Sequence, residues 1–114
     1  MKTAIVINLD YERFGYALCS QYWNQVTSVM EASGFILNNR MFLTNLSPDE
    51  AYNNARWVIN QIDELTRHNS VNLSQTIREF YGLDYTQVTN LLTPPTSTIA
   101  VEFIDNEFVS QSVN

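Results

Sequence analysis

Asn8 and Asp10 stand two residues apart at the end of the apolar run that begins at Thr3. On a strand that spacing puts both side chains on one face. A carboxylate at a strand end, in a groove between two copies of the chain, can hold a divalent ion such as Mg²⁺ or Mn²⁺. The ion would lower the pKa of a bound water and stabilise charge building on a phosphate. Asp10 is the candidate catalytic and metal-binding residue, with Asn8 beside it as donor and acceptor. Plainer roles stand next to these. Asp10 can end the strand and bond the following turn, and Asn8 can be a satisfied polar group at an interface.

Arg13, Arg40 and Arg78 are half of the six basic residues, and each guanidinium can make two parallel bonds to a phosphate. The alternative for each is a solvated or ion-paired surface role. Tyr11, Tyr16, Trp23, Tyr81 and Tyr85 can stack unpaired bases of single-stranded RNA or serve as core and interface anchors. Trp23 and Trp57 sit beside helix stripes, where partial burial accounts for them. His68 is the single histidine, so one subunit forms neither a histidine-pair ribonuclease centre nor a multi-histidine metal site. The lone Cys19 has no second cysteine for a disulfide and reads as a packed thiol. Neither a P-loop nor a dinucleotide glycine fingerprint is present.

The 114 residues suit one core, and 45% hydrophobic against 16% charged residues describe a folded chain. Twelve acids against six bases give a net charge of -6, which argues against a broad footprint on double-stranded DNA. The same acids are too dispersed to imitate a phosphate ladder. The first apolar run meets Asp10 too early for a signal sequence, and no apolar stretch approaches the roughly 18 residues of a membrane span. With a free thiol, the expected place is the cytoplasm, with no membrane partner.

Thr3 to Asp10, β-branched and apolar, predicts a central strand buried on both faces, with Ile5, Ile7 and Leu9 on one side. Phe14, Leu18, Tyr22, Val26, Val29 and Met30 recur at helical steps, and Gly34 suits the left-handed position that ends the helix. Phe35 to Leu37 and Met41 to Thr44 form a hairpin around Asn38-Asn39-Arg40. Ser47-Pro48-Asp49-Glu50 is a helix start with a hydroxyl cap, an N1 proline and a returning glutamate. The core stripe behind it is Ala51, Ala55, Val58, Ile59, Ile62 and Leu65.

Leu73 to Tyr81 alternates as a strand, while a short helix capped by Ser74 is the competing assignment. Asp84 caps a short helix carrying Val88, Leu91 and Leu92, which Pro94-Pro95 ends. Thr98 to Ile104 is a further strand. The order predicts an α+β, ferredoxin-like βαββαβ domain over residues 1–105 with an additional C-terminal strand, followed by a tail at 106–114. An extra strand adds to a sheet edge of its own or a partner subunit, so a homodimer is expected.

Tyr22 to Asn45, with Gly34-Phe35 ending the first helix and Phe42-Leu43-Thr44-Asn45 closing the hairpin, resembles sequences of the virulence-associated protein D (VapD) family. The helix Ala51 to Leu65 fits too. Ile77-Arg78-Glu79-Phe80 is similar to the family's isoleucine-arginine-x-phenylalanine segment, and Asp84-Tyr85-Thr86-Gln87-Val88-Thr89 to its aromatic, polar short helix. The resemblance implies a ferredoxin-like dimer related to the small CRISPR-associated endoribonucleases, with toxin-type cleavage of single-stranded RNA and an antitoxin or other protein as partner. Where the family carries Phe-Asp-Leu in strand one, this chain has Ile7-Asn8-Leu9. Asn8 thus takes the expected aspartate position, and Asp10 supplies the carboxylate if register or substrate path has moved. The alternative of another class is a non-catalytic homodimeric protein-binding module that uses a sheet edge or an acidic surface.

Overall fold

The computed structural model describes residues 1–87 and 91–92. They form β1 (Thr3–Leu9), a one-turn helix α1 (Tyr11–Phe14), α2 (Tyr16–Ala32), β2 (Ile36–Asn38) and β3 (Met41–Thr44). Then follow α3 (Pro48–Thr66), a one-turn helix α4 (Leu73–Thr76), β4 (Ile77–Asp84) and a 3₁₀ turn (Tyr85–Gln87). The main elements follow a βαββαβ-like order, and the four strands make one antiparallel sheet in the order β2-β3-β1-β4. The fold is α+β with two main helices, α2 and α3.

Alternation divides the sheet cleanly. Ile5, Ile7 and Leu9 of β1 and Phe42 of β3 join Cys19, Tyr22, Val26 and Met30 of α2 and Ala51, Ala55, Val58, Ile59 and Ile62 of α3 in one buried cluster. Phe42 lies opposite Ile5, which fixes the register because a one-residue slip would send every core side chain to the other face. Val6, Met41, Leu43, Tyr81 and Leu83 therefore lie on the opposite face.

The predicted punctuation is present. Gly34 takes φ 98° after α2, and Asn39 takes φ 60° in the hairpin turn. Ser47 Oγ accepts from Glu50 N and donates to Glu50 Oε1, with Pro48 in the first turn. Leu65 departs from the expected stripe. It is 76% exposed, whereas Thr66, one residue on, is buried and bonded to the carbonyl of Ile62.

The segment at 73–81 is neither of the two assignments alone. Leu73 to Thr76 is helical and the strand starts at Ile77. The cap is Asn72, not Ser74: Asn72 Oδ1 accepts from Gln75 N and Gln75 Oε1 accepts from Asn72 N. Two more bonds hold this turn to α3, since Asp63 Oδ1 accepts from Ser74 N and Oγ, and Thr66 Oγ1 accepts from Leu73 N. Asp84 accepts from Thr86 N and Oγ1 at the start of a 3₁₀ turn, whereas Val88 and Pro94-Pro95 of the expected helix lie outside the described residues. The strand at Thr98 to Ile104 and the tail at 106–114 lie outside the described residues. Among those described, no helix is long and apolar enough to cross a membrane.

Candidate functional site

β1 is longer than one of its neighbours. β3 pairs with it only from Thr3 to Val6, while β4 pairs from Thr3 to Leu9. Ile7, Asn8 and Leu9 consequently have a strand on one side and a notch on the other. There the structure has a groove of about 640 Å³, within the usual range of small-molecule sites. Its walls are Tyr11 of α1, Tyr16 and Trp23 of α2, Leu37, Asn39 and Arg40 of the hairpin, and Arg78 and Glu79 of β4.

A β-bulge places the last two. Asn8 lies opposite Glu79 but Leu9 opposite Ile77, so Arg78 is an extra residue in the β4 ladder. Regular alternation would send consecutive Arg78 and Glu79 to opposite faces. With the bulge both line the groove. Asn8 Nδ2 donates to Glu79 Oε1 at 2.6 Å, joining the two strands across the groove floor.

The aromatic wall has its own local cause. Gly15, at φ 88°, breaks the chain between α1 and α2, and the rings of Tyr11 and Tyr16 on either side come to 6.1 Å between centroids, tilted at 46°. Tyr16 is 78% exposed. Trp23 leans on core Phe42 with centroids 5.5 Å apart, so its ring is fixed from behind.

Asp10 and Arg13 are elsewhere. Asp10 caps α1, its Oδ1 accepting from Arg13 N at 3.0 Å, and its own N–H donates to the Thr76 carbonyl at 2.7 Å. The Arg13 guanidinium lies 5.2 Å from the Phe14 ring centre. Neither residue lines the groove. Asp10 thus makes the expected turn-capping bond, and among the described residues no three His, Cys, Asp or Glu side chains group around it or elsewhere. Buried Cys19 donates from Sγ to the Asp10 carbonyl, and burial together with the Asp10 charge pushes its thiol pKa up. His68 is exposed and accepts from Arg67 Nε. Tyr85 donates to Met41 Sδ, Tyr81 is half-exposed on the sheet face opposite the core cluster, and Trp57 is 54% exposed rather than packed beside its stripe.

Asn8 and Tyr11, Arg40, and Arg78, from three separate stretches of the chain, are therefore brought together with Tyr16 and Trp23. Glu79 was not among the residues the sequence singled out, because a bulge leaves no mark in the pattern of residue types. Chemically the groove offers two cations that enter no ion pair among the described residues, three aromatic surfaces and one carboxylate held by an amide. Such a set suits a ligand with both phosphate and ring moieties. The chain matches no protein-family profile and no curated protein.

Proposed function

We propose that the protein is a VapD-like, ferredoxin-like endoribonuclease that acts on single-stranded RNA in the cytoplasm, and that the notch beside β1 is its RNA-binding groove. The observation that supports this is the convergence of Arg40 and Arg78 with Tyr11, Tyr16 and Trp23 on one groove in a chain of net charge -6. Guanidiniums pair with backbone phosphates while splayed bases stack on the rings, the combination that unpaired RNA requires. A duplex would present its bases already stacked and leave the rings without partners.

The donors among the described residues of one subunit do not fit a Mg²⁺ or Mn²⁺ site. Asp10 is one carboxylate, already bonded to the backbone of its own turn, and the amide of Asn8 is engaged with Glu79. A metal at Asp10 needs oxygen ligands beyond those the described residues bring to it, and the proposed homodimer is one source of them. The outer edge of β4, which ends the described sheet, supports such a dimer. An antitoxin or other protein partner belongs to the same family-based proposal.

The second reading, a non-catalytic homodimeric binding module, draws support from the same Asn8–Glu79 bond and from β4. This eight-residue strand ends the described sheet, with Phe80 and Tyr81 exposed. Labelled RNA incubated with wild-type protein, the Arg40→Ala/Arg78→Ala double variant and Asp10→Ala, each with and without Mg²⁺ or Mn²⁺, separates the two. Endoribonuclease function predicts binding lost in the double variant and ion-dependent cleavage lost in Asp10→Ala. Absence of RNA binding under every condition leaves the binding module, and light scattering then measures the assembly.

A further inference from the structure

A carboxylate is out of place in a groove built only for phosphates, since it repels the backbone it would neighbour. Glu79 lines this groove all the same, and Asn8 from the adjacent strand holds its Oε1 at 2.6 Å. Accepting that one bond leaves Oε2 and the remaining lone pairs of the carboxylate unused by any hydrogen bond among the described residues. An oriented acceptor pair beside stacking rings calls for two neighbouring donors on a planar ligand.

Among the four RNA bases only one has that pattern on its Watson–Crick edge. Guanine presents N1–H next to its N2 amino group. Adenine and cytosine each place an amino group beside a ring acceptor, and uracil flanks its one N–H with carbonyls. A carboxylate meets guanine through two parallel bonds and meets each of the others with at least one repulsive lone-pair contact. We infer that Glu79, positioned by Asn8, selects guanine, so that the groove prefers single-stranded RNA with an unpaired guanosine. This rests on the RNA reading above and adds its base preference. The bulge gives the selection its geometry, because it lets Arg78, the next residue, take a phosphate from the same wall on which Glu79 reads a base.

The test is fluorescence anisotropy with labelled oligouridine carrying one central guanosine, adenosine, cytidine or inosine, read on wild-type protein, Glu79→Gln and Asn8→Ala, with circular dichroism confirming that each variant is folded. The guanosine RNA should bind about 10-fold tighter than the adenosine, cytidine and all-uridine RNAs. Inosine, which keeps N1–H and lacks the amino group, should fall between. In Glu79→Gln the ratio between guanosine and uridine RNA should drop to near parity, because an amide offers one acceptor and puts a donor against a donor. Asn8→Ala should lower the same ratio partway. Equal binding of all the RNAs by wild-type protein overturns guanine selection and leaves the RNA reading standing. A guanosine preference that persists in Glu79→Gln overturns the role of that carboxylate. Failure of every RNA to bind overturns the selection and the RNA reading together.

Discussion

Replacing Arg78 with alanine tests the groove most directly, because it removes one of two cations and disturbs little else. Arg78 is exposed, is the extra residue of a bulge, and enters no ion pair among the described residues. Its loss should change folding stability by no more than about 0.5 kcal/mol. Each phosphate neutralised on a single strand contributes about 0.7 to the slope of log K against log salt. Two arginines on the groove wall thus predict a slope near -1.4 for the wild type, about -0.7 for Arg78→Ala and close to zero for the double variant with Arg40→Ala. Arg78→Lys should keep the slope, since the charge stays, and weaken binding modestly through loss of the fork geometry. Anisotropy titrations of a short single-stranded RNA between about 50 and 200 mM salt measure all four proteins. An unchanged slope in Arg78→Ala would refute phosphate contact at this residue, and a wild-type slope near zero would refute an electrostatic groove altogether.

Asp10→Ala removes the cap of α1 and should cost about 1 kcal/mol in urea unfolding, whereas Asp10→Ser restores the cap but not the carboxylate. Metal-dependent RNA cleavage that survives in Asp10→Ser would eliminate a catalytic carboxylate there. A Cβ on Gly82 would lie within 2.8 Å of Cδ1, Cε1 and Cζ of Tyr52, so Gly82→Ala should destabilise by about 1–3 kcal/mol; a double-mutant cycle should show most of that cost relieved in a Tyr52→Ala background, and equal cost in both backgrounds would contradict the packing. The Cys19 thiol, with its pKa raised by burial and then by Asp10, should resist iodoacetamide in the native protein and react on unfolding. Because the unfolded thiol ionises first, the contribution of Cys19 is full below about pH 8.5 and is lost as pH rises through the folded value. Cys19→Ala should flatten that alkaline loss in thermal melts.

Local chemistry made much of this fold legible. Ser47-Pro48-Asp49-Glu50, Gly34 and Asn39 each act through their immediate neighbours, and each does what its type dictates. The segment at 73–81 was ambiguous because α4 depends on Asp63 and Thr66 of another helix, which sequence alternation does not register. Leu65 shows the same limit in reverse, since Thr66 with its hydroxyl bonded back to Ile62 takes the buried place. For the site, residue types suggested Asn8, Tyr11, Arg40 and Arg78, but their meeting depends on the unequal lengths of β1 and β3. Asp10 and Asn8 were expected to act together. Leu9 and the turn after it separate them, sending the carboxylate to α1 and the amide to Glu79.

The unequal strand lengths also grade the protection of β1 against solvent exchange. Thr3 to Val6 are laced on both sides, whereas Ile7 to Leu9 are laced on one. Deuterium should enter the amides at the second stretch first. A ligand lying in the notch would shield that open edge and slow the entry, so occupancy would be recorded by the backbone itself, in a strand that the core and the groove share.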